Sequence, residues 1–177
     1  DLGANVTTVG DQTYTSAVTL TGDAVLTTKD AGAAINLNNT VDGAQRLELD
    51  ADVVTLTGAI GTTTALTEVV FDKAATLGVD ITADIQTFMD SLTLGNNVTL
   101  TGNVTTQSIS GLHNLTVTGS LNSQGAVDIN DLSISTDATF GTTVEADSVV
   151  IGGNAVINAV VNTDSLAITG TTDLGAN

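Results

Sequence analysis

The second half of the chain repeats with a period of 17 residues. Between Val98 and Ile168, apolar residues recur at this interval in two registers that lie two positions apart. The first register is Val98, Leu115, Leu132, Val149 and Leu166, and the second is Leu100, Val117, Ile134, Ile151 and Ile168. A third register holds Gly102, Gly119, Thr136, Gly153 and Gly170. A fixed period this short predicts one small structural unit that stacks on copies of itself.

The repeated phrase has the alternation of a strand with one buried face. In Leu115-Thr-Val-Thr-Gly119, apolar residues two apart flank a Thr, and a Gly follows where the backbone must turn. Seventeen residues cannot hold a strand and a crossover helix, so each strand must return beside its counterpart in the preceding coil. The sequence therefore predicts an all-β fold, a parallel β-solenoid with coils of about 17–19 residues, in which equivalent residues stack about 4.8 Å apart.

The whole chain, residues 1–177, is interpreted as a single solenoid segment in two parts. Residues 98–177 form the regular 17-residue coils, and residues 1–97 form less regular ones, in which Val41, Ile60, Val79 and Val98 are spaced by 19. The least regular stretch, residues 62–91, is predicted to contain a bulge or a loop excursion, with a short helix over residues 82–91 as the alternative.

An antiparallel sandwich is the competing fold. Gly22-Asp23 and Gly95-Asn96 are suited to two-residue hairpin turns. Against this fold, the chain has no Asn-Gly pair, its aromatic content is only 2%, and hairpins do not require a strict 17-residue step. These observations favour the solenoid.

The same five residues occur twice, 172 positions apart. The chain reads Asp-Leu-Gly-Ala-Asn at residues 1–5 and again at residues 173–177. This repetition predicts one period of a longer chain of tandem units, or separate copies that abut end to end in a filament. In both cases the predicted partner is the protein itself.

Composition excludes several classes of partner. The chain has 20 acidic and 3 basic residues, a net charge of −17, so nucleic acid is not an expected partner. A hydrophobic content of 41% argues against a disordered acidic tail. No apolar run reaches the length of a membrane span, and we therefore predict no membrane insertion.

We expect neither catalysis nor a cofactor, and calcium is the one cofactor for which the chain offers candidate ligands. The single histidine, His113, is in register with Asn130, Asp147 and Asp164, which predicts an outward polar column rather than a catalytic group. Carboxylate and amide oxygens are ligands that Ca²⁺ prefers. The weak candidate ligands are Asp128, Asn130, Asp131, Asp147 and Asp164, and the sequence favours a solvated acidic face over a metal site at these positions.

The stretch Val6–Leu20, followed by Asp23 and Leu26, resembles a recurrent motif of giant secreted bacterial adhesins of the filamentous-haemagglutinin type. The matching phrase is Val6-Thr-Thr-Val-Gly-Asp-Gln-Thr-Tyr-Thr-Ser-Ala-Val-Thr-Leu20. The resemblance implies a right-handed parallel β-helix, secretion to the cell surface and a role as a stalk or fibre. It carries over no functional residues, and we expect Gln12 and Tyr14 to brace a corner.

The sequence thus predicts a structural component of an extracellular filament or cell-surface stalk, built by end-to-end stacking of solenoid units. The alternative is an adhesin passenger segment that binds host or surface glycans, or other surface proteins, through its outward Thr and Asn residues. Glycan sites usually contain exposed aromatic rings, which are scarce here.

Overall fold

The computed structural model describes residues 1–158 and 160–175, and within these residues it contains strands and no helix. The strands are β1 Val6–Thr8, β2 Gln12–Tyr14, β3 Val18–Thr19, β4 Ala24–Thr28, β5 Ala34–Leu37, β6 Val41–Asp42, β7 Arg46–Asp50, β8 Val53–Leu56, β9 Leu66–Phe71, β10 Ala75–Leu77, β11 Ile81–Leu94, β12 Val98–Ser110, β13 Leu115–Val117, β14 Leu121–Ser123, β15 Val127–Asp128, β16 Asp131–Ile134, β17 Ala138–Phe140, β18 Val144–Ile151, β19 Ala155–Ile157, β20 Val161–Ile168 and β21 Thr172–Leu174.

The strands stack in parallel as a β-solenoid of about ten turns. Each coil passes three faces, which one regular coil illustrates: β14 lies on face 1, β15 on face 2 and β16 on face 3. The long strands β11, β12, β18 and β20 span more than one face because they continue through a corner. The predicted parallel β-solenoid is confirmed, and the antiparallel sandwich is wrong.

The 17-residue registers are columns of neighbouring residues. On face 3, Val98 pairs with Leu115, and the pairing continues through Leu132 and Val149 to Leu166. The second register stacks in the same way, two residues further along each strand. Side chains alternate between the interior and solvent along a strand, so both registers point inward and form the apolar core.

The N-terminal half has longer and less equal coils. Ile35 pairs with Val54 at the predicted offset of 19, but Ile60 bridges Ile81 rather than Val79. The 19-residue spacing is therefore wrong at Val79, because two extra residues lengthen that coil. They fall in the stretch for which irregularity was predicted.

The predicted bulge lies in β11. Its pairing with β12 shifts register between Thr82 and Ile85 and again between Phe88 and Ser91. Residues 82–91 belong to this strand, so the helical alternative is wrong. The bulge region also holds the bulkiest part of the core, since the rings of Phe71 and Phe88 stack in neighbouring coils with centroids 4.9 Å apart. Among the described residues there is no helix long and apolar enough to cross a membrane.

Candidate functional site

Many of the acidic and amide side chains at corners have a structural partner in the next coil. The Oδ1 atom of Asn103 accepts a hydrogen bond from the backbone N–H of Ser120 at 3.1 Å. Asp137 accepts in the same way from Asn154 at 2.7 Å, and Asn154 accepts from Thr171 at 2.9 Å. Each acceptor therefore satisfies a backbone donor 17 residues later, at a point where the strand ladder is interrupted.

The same arrangement occurs in the N-terminal half with longer coils. Asp11 accepts from the N–H of Ala34 at 2.8 Å, and Asp23 accepts from Arg46 at 2.9 Å. The corners thus account for part of the acidic composition, because a short side chain with an oxygen acceptor is required there.

One corner in the C-terminal half opens into an acidic groove of about 600 Å³. It follows the junction of faces 2 and 3 through three successive coils. We call this site the acidic groove, and its polar lining residues are Asp128, Asn130, Glu145, Asp147, Asn162, Thr163 and Asp164. Leu112 lies at its rim, with 83% of its surface exposed.

Hydrogen bonds within the predicted outward column, which contains His113, Asn130, Asp147 and Asp164, connect the coils that line the groove. The N–H of Asn130 donates to the His113 carbonyl at 3.1 Å, and the N–H of Asp147 donates to the Asn130 carbonyl at 2.6 Å. The Asn130 side-chain amide also donates to the Leu112 carbonyl at 3.1 Å. These bonds align the corners and leave the carboxylates of Asp147 and Asp164 exposed to solvent.

The structure brings four of the five calcium candidates together. Asp128, Asn130, Asp147 and Asp164 line the acidic groove, whereas Asp131 begins β16 beside it and pairs with Ser148. Sequence reasoning missed Glu145, although its position 17 residues after Asp128 signalled it. Within residues 1–158 and 160–175, no three His, Cys, Asp or Glu side chains form a group able to hold a metal ion. Calcium binding therefore stays a prediction that depends on amide, hydroxyl and backbone oxygens as additional ligands.

A second charged cluster lies on face 1, around Arg46. Its guanidinium donates to Glu48 and Glu68 on the same and the next coil, and these hydrogen bonds raise the pKa of Arg46. Burial, followed by the charge and hydrogen bonding of Glu48 and the charge of Asp50, raises the pKa of Asp72 from its ordinary 3.8 to about 6. Arg46 opposes this shift without cancelling it.

Gln12 and Tyr14 brace a corner as predicted. The Gln12 amide donates to the carbonyls of Val6, at 3.1 Å, and Thr27, at 2.8 Å, while the Tyr14 hydroxyl donates to the Gln12 Oε1 atom. Burial raises the pKa of Tyr14. Gln86 repeats the device, since its amide donates to the carbonyls of Ile81 and Thr101. These polar side chains serve the fold.

Comparisons with known proteins identify no relative: no family model matches the chain, and neither the curated proteins nor the solved structures include a significant match.

Proposed function

We propose that this chain is a rod-like structural segment of an extracellular filament or cell-surface stalk. The observation that supports this most directly is the parallel pairing that links every coil to the next, with apolar columns inside and corner acceptors outside. Backbone hydrogen bonds then run along the long axis. When the rod is pulled at its ends, the force between two coils is shared by many of these bonds. Such an arrangement suits stiffness and resistance to proteases.

The surface chemistry is consistent with this proposal. A net charge of −17 keeps neighbouring rods apart and soluble. The three Phe rings are buried and Tyr14 is half-buried, so the described surface offers little for stacking against sugars. The resemblance to secreted haemagglutinin-type adhesins supports an extracellular location, in which this segment separates a binding domain from the cell.

Solution scattering of the isolated chain tests the rod. Ten coils at about 4.8 Å each predict a rigid particle about 45–50 Å long, with a cross-section that does not change with concentration. A compact sphere, or a flexible chain without a constant cross-section, contradicts the proposal.

Immunogold labelling of intact source cells tests the location. An antibody raised against the chain is expected to label thin surface fibres, and antibody absorbed with the purified chain serves as the control. Labelling that appears only after permeabilisation contradicts an extracellular role. A glycan array separates the stalk from the alternative adhesin, because a stalk is expected to show no saturable binding.

A further inference from the structure

The described ends of the solenoid carry complementary open edges. At one end, β20 pairs only with β18 and β21 only with β19, while at the other end β1 pairs only with β4 and β2 only with β5. All these pairs are parallel, so the free edges at the two ends point in opposite directions along the axis. One edge therefore has the polarity needed to continue the other.

The apolar interior is uncovered at the β20–β21 end. Leu166 is 47% exposed, whereas Val98, Leu115, Leu132 and Val149 in the same column are at most 3% exposed. Leu174 is 71% exposed, while Ile157 beneath it is 5% exposed. These side chains have the inward direction of core residues, and no coil within residues 1–158 and 160–175 covers them.

The leucine of the repeated pentapeptide lies on a different face in each occurrence. Leu2 bridges Leu20, which directly follows β3 on face 3. In that strand Val18 pairs with Val41, and this column continues through Ile60 to Ile168. Leu174 pairs with Ile157 on face 1, the next face along the chain. The distance between the two occurrences is therefore nine whole coils plus one face.

We propose that a second copy of this unit continues the solenoid with its Leu2 in the position of Leu174, and that each unit is rotated by one face relative to the one before. This inference rests on the proposed function as a rod and specifies its partner. With three faces per coil, a rotation by one face is roughly a third of a turn. Every third unit along the filament therefore has the same orientation about the axis.

The register of the junction follows from side-chain direction. Val6 pairs with buried Leu26, and Val161 pairs with buried Val144, so both point inward and Val6 of the second copy stacks on Val161. Gln12 and Tyr14 likewise take the inward positions above Leu166 and Ile168. A slip of one residue would turn these four side chains to the wrong side of the sheet.

The rotation has a consequence for the acidic groove. Because the groove lies at one corner of the coil, successive units display it in three directions around the rod. Neighbouring grooves along the filament are then separated both axially and angularly.

Cysteine pairs in a two-unit chain test the register. Residues 1–172 of one copy are followed directly by residues 1–177 of the next, and the natural sequence contributes no cysteine. Ala167→Cys in the first copy with Thr13→Cys in the second places two exposed positions on neighbouring strands, about 5 Å apart, within disulfide range. We expect at least tenfold faster oxidation than for the matched pair Ala167→Cys with Thr7→Cys. The second pair oxidising faster would place Thr7 of the second copy beside Ala167 and overturn the register.

Hydrogen exchange in the same chain tests whether the second copy covers the end. We expect the β20 amides of the first copy to exchange at least tenfold more slowly than in two complete copies joined by a flexible Gly-Ser linker. Equal exchange in the two chains, with neither cysteine pair oxidising preferentially, overturns the second-copy proposal. The rod proposed for one unit would survive that result, because it depends on the scattering of the single chain.

Discussion

Individual residues in this fold are constrained mainly by the coil above or below them. Gly102 has φ of 123°, in the region that favours glycine, and a Cβ atom there would lie far inside van der Waals contact with the Ala83 carbonyl oxygen. Gly102 is thus required both by its own backbone angles and by the close approach of the preceding coil. The 17-residue repetition of glycine reflects such contacts.

We therefore expect Gly102→Ala to lower the free energy of unfolding by at least about 2 kcal/mol, because the energetic cost of the positive φ is added to that of the clash with the backbone. Gly78→Ala is the matched control, because its Cβ would meet nothing closer than 4.0 Å. The control should change stability by less than about 0.5 kcal/mol. Urea unfolding measures both, and equal effects would contradict the role assigned to Gly102.

The raised pKa of Asp72 predicts a pH dependence of stability. Its pKa of about 6 in the folded protein exceeds the ordinary 3.8, so the folded state binds this proton more tightly than the unfolded chain does. The stabilisation of the folded state by this proton is fully present below about pH 3.8 and is lost as pH rises through about 6. We expect the stability of Asp72→Asn to fall less over this range than that of the unsubstituted protein.

Urea unfolding between pH 4 and pH 7 measures the difference in slope. Asp173→Asn, an exposed carboxylate in β21 several coils away from the Arg46 cluster, is the control for the change in net charge. Identical slopes for Asp72→Asn and Asp173→Asn would show that the cluster around Glu48 does not govern the proton.

At the scale of the element, the pairing register of the short strands depends on the corners that flank them. Face strands of three or four residues, such as β13, β14 and β17, are too short to hold a register by themselves. Inward side chains fix the register from inside, and corner acceptors fix it from outside. The acidic and amide residues are therefore part of the strand pairing, although they lie on the surface.

Substitutions of Asp137 distinguish the effect of its hydrogen bond on stability from the effect of its negative charge. We expect Asp137→Ala to cost about 1 kcal/mol, because the N–H of Asn154 loses its acceptor. Asp137→Asn keeps an oxygen in place and should retain most of the stability. Thermal or urea unfolding distinguishes the two, and a loss of equal size in both variants would mean that the charge matters more than the hydrogen bond.

At the scale of the whole molecule, a thin rod with a charge of −17 is stabilised by packing and opposed by self-repulsion. The acidic groove concentrates this repulsion, since Asp128, Glu145, Asp147 and Asp164 line a single recess. Screening should relieve it, and a divalent cation bound in the groove would relieve it further.

We expect the melting temperature to rise by several degrees between 20 and 500 mM NaCl, because salt screens repulsion between exposed charges. Calorimetry measures this, and no rise would contradict the importance of self-repulsion. Calcium and magnesium compared at equal ionic strength test the predicted calcium site. A larger rise with calcium, abolished by Asp147→Asn together with Asp164→Asn, is the outcome that the site requires.

The sequence by itself determined the solenoid, its parallel pairing and the inward columns of the C-terminal half. This was possible because each residue of a regular coil has its counterpart 17 positions away, so that tertiary neighbours appear as a period in the chain. Tertiary structure alone decided where that period fails. The pairing of Ile60 with Ile81, the bulges in β11, the exposure of Leu112 and the raised pKa of Asp72 depend on coil lengths and corner directions. Those are set by how each corner packs on the one beneath it, which leaves no periodic mark in the sequence.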